Sequence, residues 1–98
     1  EETEGNICVF DSVLDEVALR ELVNLLMEKC RGIAAAFSGD DRRGYRYIMG
    51  SRELDMRSLA KELNSLIEGR GGGKARMIQG SASASASAIA AVFERDFR

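Results

Sequence analysis

Three consecutive glycines, Gly71, Gly72 and Gly73, constrain this chain more than any other feature. They follow directly on what reads as the end of an amphipathic helix. Lys74 and Arg76 then lead into a short apolar run, Met77 and Ile78, closed by Gln79 and Gly80. Glycine tolerates positive φ and lets a ligand come close to the main chain, so such a loop can aim successive N–H groups at an anion. Arg70, Lys74 and Arg76 flank it with positive charge. The same residues also suit a helix C-cap followed by a flexible connection. Composition alone leaves both readings open.

The elements on either side follow from hydrophobic spacing. Asn6 to Phe10 is a short apolar run after a turn-like glycine and reads as a buried strand. Asp11 and Ser12 offer capping oxygens, and Asp15 suits the positive end of a helix running from about Leu14 to Cys30. Leu19, Leu22, Val23, Leu26 and Cys30 recur at spacings of three and four, which puts them on one face. Gly32 is placed to end that helix. Ile33 to Ser38 reads as a strand, GDDRRG at 39–44 as a hairpin-type turn, and Tyr45 to Gly50 as the returning strand. On that strand Tyr45, Tyr47 and Met49 share one face, and Arg46 and Ile48 share the other. The tyrosines fit sheet packing better than base stacking.

Asp55 is a good N-cap for a second helix over roughly Met56 to Glu68, with an apolar stripe of Met56, Leu59, Ala60, Leu63 and Ile67. Arg57 and Lys61 form an exposed pair of like charge on it. Beyond the glycines a strand is expected near Arg76 to Ser81, then a terminal helix from about Ser85 to Asp96, with Ala88, Ile89, Val92 and Phe93 facing inward. The Ser/Ala alternation of residues 81–88 mimics a strand, and the pattern leaves strand, loop and helix open there. The resulting order predicts an α/β fold: a small mixed sheet of about four strands covered by two to three helices. In such sheets, loops beside strand ends are the usual binding places, which favours the glycine segment.

Ninety-eight residues make a single domain, modest for a complete enzyme. The chain starts at Glu1, and residues 1–5 read as a polar linker, so a domain over 6–98 excised from a longer protein is expected. No apolar run approaches a membrane span. Cys8 and Cys30 are too few and too far apart for a zinc framework and read as reduced core residues of a cytosolic protein. Histidine is absent, which removes the commonest general base and metal ligand. No metal and no cofactor are expected. The net charge of −2 is lopsided. Residues 1–41 carry three basic and ten acidic side chains, for −7, and residues 42–98 carry eleven basic and six acidic, for +5. Such asymmetry points to one face with a positive field.

Nucleotide-hydrolysis motifs fail on inspection. In G-x-x-x-x-G-K-[ST], Glu68 would stand where the first glycine belongs and Ala75 where the hydroxyl belongs, and the preceding element is a helix. A dinucleotide fingerprint fails because the segment does not sit at a first strand-to-helix turn. No histidine can activate any of the serines, and Asp40 and Asp41 read as turn residues.

A helix carrying Leu19-Arg20-Glu21-Leu22 runs into a strand ending Phe37-Ser38, and a second helix, DMRSLAKELNSLIE, meets GRGGGKARMIQG. This succession resembles the DHH-associated domain at the C-terminus of alanyl-tRNA synthetases and of long AlaX-type alanyl-tRNA editing proteins, from about Asn6 to Phe97. Its specific part is the glycine run, a basic residue, then apolar-x-Gln-Gly. The resemblance implies a non-catalytic tRNA-binding, domain-bridging module that works in the cytoplasm in protein biosynthesis. It assigns Gly71, Gly72, Gly73, Lys74 and Gln79 to a nucleic-acid contact. The positive charge of Arg70, Lys74 and Arg76 beside them suits phosphates. The implied partners are tRNA, of the alanine-accepting kind, and an upstream catalytic domain of the same chain.

The pattern departs from the family in two places. Ala75 and Arg76 stand where proline and aspartate are frequent, and Gly80-Ser81 replaces a longer glycine run. The same domain accompanies DHH phosphoesterases, in which a histidine follows the glycines. Lys74 stands there instead, which points to the synthetase-like branch. Two rival readings stay open at this stage: a substrate-binding domain of a DHH-type phosphoesterase, and a structural module that self-associates as a homodimer.

Overall fold

The computed structural model describes residues 3–97. The chain runs β1 (Ile7–Asp11), α1 (Glu16–Met27), β2 (Ala34–Asp40), β3 (Gly44–Gly50), α2 (Met56–Ile67), β4 (Gly69–Gly73), β5 (Met77–Ala82) and α3 (Ala86–Val92). The expected α/β architecture is present, with five strands rather than about four. The strands form one sheet in the order β1-β2-β3-β5-β4. β1 and β2 are parallel, and the other neighbours are antiparallel.

Helices cover both faces. On one side Leu19, Val23 and Met27 of α1 pack on Ala34, Ala36 and Ile48, with Cys30. On the other, Met56, Leu63 and Ile67 of α2 and Ile89, Val92 and Phe93 pack on Phe37, Tyr45, Tyr47, Met49 and Ile78. Period-2 alternation divides β1, β2, β3 and β5 between the two cores. Tyr45 and Tyr47 are buried packing residues, as the pattern of β3 implied. Cys8 and Cys30 contribute to the cores on opposite faces of the sheet.

The helix ends show where local signals were sufficient. Asp55 caps α2 as expected, accepting from the N–H groups of Arg57 and Ser58. α1 is shorter than the apolar pattern at both ends. Asp11 caps a turn by accepting from the Val13 and Leu14 N–H groups, and Asp15 becomes the N-cap. The helix stops at Met27 because the chain then bends to pair with the N-terminal segment, where the Thr3 N–H donates to the Lys29 carbonyl at 2.7 Å and Cys30 bridges Thr3. Residues 1 and 2 of the expected linker lie outside the described residues.

The Ser/Ala tract takes three roles in eight residues. Ser81 and Ala82 finish β5. The Ser83 and Ala84 N–H groups then satisfy the Glu68 and Ile67 carbonyls at the end of α2, and Ser85 caps α3. Ala82 and Ala84 face inward while Ser81 and Ser83 are exposed, so the alternation is real although its small side chains gave it little weight. α3 ends at Val92 rather than near Asp96, because i→i−3 bonds from Phe93, Glu94 and Arg95 tighten its last turn. Ala88 is exposed instead of inward. No helix among the described residues is long and apolar enough to cross a membrane, and no cluster of three or more potential metal ligands occurs among them.

Candidate nucleic-acid interface

The segment expected as a glycine loop is β4, an edge strand of the sheet. Glycine carries no side chain to signal a strand, and it is disfavoured in strand interiors. The conformation is imposed from outside, by pairing with β5 and by one tyrosine. Gly71 lies opposite Gly80, which lies opposite Tyr47. The Tyr47 hydroxyl donates to Asn64 Oδ1 of α2 at 2.6 Å, and Asn64 Nδ2 donates to the Gly71 carbonyl at 3.1 Å. A Cβ on Gly71 would sit 2.3 Å from the Gln79 carbonyl oxygen and 2.6 Å from the Tyr47 hydroxyl. One on Gly80 would sit 2.0 Å from the Arg70 carbonyl oxygen. These two glycines are required for close approach, and Tyr47 uses the space they leave to reach α2.

Gly72 differs, since a Cβ there would meet nothing within 4 Å. An antiparallel strand sends the N–H groups of successive residues in opposite directions. The Gly71 carbonyl is turned to Asn64 and away from β5, so the Gly71 and Gly73 N–H groups lie along the open edge while that of Gly72 enters the ladder. The three N–H groups therefore do not converge on one anion.

The basic residues of the segment divide between its ends. Arg70 lies opposite Ser81, and the cross-strand row continues through Arg46 to Ser38. Lys74 and Arg76 sit about 13 Å away along the strand, in the hairpin turn. There the Lys74 N–H donates to the Met77 carbonyl, while the Ala75 and Arg76 carbonyls accept from Met56 and Ser51 N–H groups. This docks the turn against the start of α2. Arg70, Lys74 and Arg76 are all exposed and form no ion pair among the described residues.

α1 lies over β2 and β3, leaving β5 and β4 uncovered on that face. The result is an open cleft of about 1110 Å³ between α1 and the sheet edge, lined by Glu16, Arg43, Arg46, Arg70, Gln79 and Ser81 among others. Arg20 of α1 reaches across to the sheet, donating to Gln79 Oε1 and approaching Met77 Sδ at 3.4 Å. Glu16 pairs with both Arg20 and Arg46. A second groove of about 850 Å³ runs along the outer edge between α2 and β4, past Arg57, Lys61 and Asn64, and Arg70 lines both. Sequence reasoning singled out Arg70 and Gln79 here and passed over Arg20, Arg43 and Arg46. The signal for Arg46 was its place opposite the tyrosines on β3. That for Arg20 was its place off the apolar stripe of α1.

The model of the DHHA1 domain matches residues 4–95. The chain belongs to the DHHA1 family. These are accessory and generally non-catalytic domains. No curated protein matches the chain. Among solved structures, the crystal structure of the C-Ala domain from Aquifex aeolicus alanyl-tRNA synthetase superposes with a TM-score of 0.70 at 21% identity. The alignment covers 95% of this chain and 91% of that one. The DHHA1 domain described here and that C-Ala domain share a fold, and the helix-flanked sheet with its glycine edge strand is this chain's version of it.

Proposed function

We propose that this DHHA1 domain binds tRNA as a non-catalytic accessory module of an alanyl-tRNA synthetase or an alanyl-tRNA editing protein, in the cytoplasm. The observation that carries the reading is the uncovered outer face of the sheet, where Arg20, Arg46, Arg70, Gln79 and Ser81 come together from α1, β3, β4 and β5. Its likeness to the C-Ala domain of an alanyl-tRNA synthetase supports the choice of ligand. Arg70, with Lys74 and Arg76 at the hairpin turn, neutralises phosphates along the edge strand, and the edge N–H groups of Gly71 and Gly73 add neutral donors. Gln79, whose Oε1 is taken by Arg20, contributes its amide nitrogen as a donor. Residues 6–98 act as one domain appended to an upstream catalytic domain, which gains substrate residence time because tethering raises effective concentration.

Titration of the chain with alanine-accepting tRNA at two salt concentrations tests this, with another tRNA and a dinucleotide as competitors. Salt-sensitive binding of tRNA that the dinucleotide does not displace is the expected result. In Lys74→Ala, binding weakens and the slope of log K against log salt falls by about one. Preference for the dinucleotide would move the reading to a phosphoesterase substrate domain. A stable dimer with no nucleic-acid affinity would move it to a self-associating module.

A further inference from the structure

Glu16 opens α1 directly after its N-cap, Asp15. Its two carboxylate oxygens serve different arginines: Oε2 lies 3.7 Å from Arg20 Nη2, and Oε1 lies 3.5 Å from Arg46 Nη1. The arginines come from opposite walls of the cleft, one from α1 and the other from β3. Arg20 is steadied from a second side by Gln79 and Met77. Arg46 stands in the cross-strand row with Ser81 and Arg70. Two guanidiniums thus converge on one anion, with a third cation, Arg70, two strands away and without an ion pair among the described residues. The planar donors of arginine suit the oxygens of a phosphate as well as those of a carboxylate.

The three side chains of the Glu16 bridge are between 45% and 68% exposed. Ion pairs at such positions are weak and yield to salt. The carboxylate is therefore an easily displaced occupant. Once displaced it stays in the first turn of α1, where the helix dipole favours negative charge.

We infer that the space between Arg20 and Arg46 is a phosphate-binding subsite, which the Glu16 carboxylate fills in the free domain and gives up to a phosphate group of the ligand. This rests on the reading of the cleft as an RNA-binding surface, and adds where a phosphate sits and what it must displace. The chemistry is shared by a polynucleotide backbone and by a free nucleotide phosphate, and the experiment separates them.

Glu16→Gln removes the internal anion and leaves the Asp15 cap in place. Its tRNA affinity rises about threefold to tenfold, the scale of two exposed ion pairs. Its log–log salt slope steepens by about one, because in the parent chain the displaced carboxylate takes up a cation that offsets one released from the nucleic acid. Glu21→Gln makes the same charge change on the same helix without touching either arginine, and changes affinity by less than about twofold, as expected of screened surface charge. In Glu16→Gln/Arg46→Gln the gain disappears. A 5′-mononucleotide and inorganic pyrophosphate are titrated in parallel, with the Arg20 and Arg46 Nε–H resonances followed by NMR.

A gain specific to Glu16→Gln and dependent on Arg46 supports the subsite. If it appears with tRNA and not with the mononucleotide, the occupant is a backbone phosphate. The reverse makes it a nucleotide phosphate. Equal gains in Glu16→Gln and Glu21→Gln, or weaker binding in Glu16→Gln, overturn the subsite while leaving tRNA binding intact. If tRNA binds neither protein but pyrophosphate shifts both arginine resonances, more tightly in Glu16→Gln, the subsite stands and the tRNA reading falls. If pyrophosphate also leaves them unmoved, both fall.

Discussion

Replacing each glycine of the triplet by alanine separates a structural role from a ligand contact. In Gly71→Ala the new methyl would sit 2.3 Å from the Gln79 carbonyl oxygen and 2.6 Å from the Tyr47 hydroxyl. The first neighbour is backbone of the paired strand, so β4 must shift away from β5. The second is held by Asn64, so the Tyr47–Asn64–Gly71 bridge must break or lengthen. Overpacking of this kind costs about 1–3 kcal/mol, and each hydrogen bond lost adds about 1 kcal/mol. A total of roughly 2–4 kcal/mol is a large share of the roughly 5–15 kcal/mol that stabilises a domain. It corresponds to a fall in Tm of about 10–25 °C for a chain of this size. Gly72→Ala meets no atom within 4 Å, and it is neutral or stabilising by up to about 1 kcal/mol because the unfolded chain loses freedom. Thermal and urea unfolding followed by circular dichroism measure both, with tRNA binding titrated on the same samples below the transition. Full stability in Gly71→Ala together with lost tRNA binding would refute the packing argument and return the glycine to the role of an anion contact.

Burial pushes the Cys8 thiol up to about 12, so native protein at pH 8 should react with a thiol reagent far more slowly at Cys8 than urea-unfolded protein does; equal rates would show that Cys8 of β1 is not packed against the core. Asp41 is held below its ordinary value of 3.8, first by the Tyr45 hydroxyl and then by the Ala86 N–H, which join the β2–β3 turn to the start of α3. A depressed carboxylate contributes stability above its unfolded-state value, and that contribution disappears as pH falls through the folded value. Urea midpoints measured from pH 6 down to pH 2 should therefore drop less steeply in Asp41→Asn than in the parent chain, and parallel profiles would exclude the link. Tyr47→Phe removes the hydroxyl that reaches Asn64 and keeps the ring, so it should cost about 1 kcal/mol. A loss as large as that of Gly71→Ala would mean that the hydroxyl, rather than the close backbone approach, holds β4 in place.

Much of the candidate site lay beyond sequence reading because its parts are brought together across the sheet. Arg20 and Arg46 are far apart in the chain and meet only because α1 crosses over the strands that follow it. Arg70 and Lys74 are close in sequence, yet an extended strand separates them by about 13 Å. Adjacency along the chain overstated one cluster and hid the other. Glu16 is the sharpest instance, since on sequence it is an ordinary first-turn acid and only the fold places it between two arginines.

The sequence by itself determined the elements whose signals are local. Apolar spacing marked α1 and α2, Asp55 marked a helix start, and alternation in YRYIMG separated the buried tyrosines from Arg46. The glycine and basic pattern also pointed to the DHHA1 family. Only the tertiary structure decided that Gly69–Gly73 is a strand. Its residues lack side chains to carry a period, and its conformation comes from β5 on one side and the Tyr47–Asn64 bridge above. The C-terminal end of α1 was likewise settled by a distant partner, Thr3, whereas α3 ends in local i→i−3 bonds. Periodicity reports which face a residue presents, but pairing between strands is set by contacts that no local window contains.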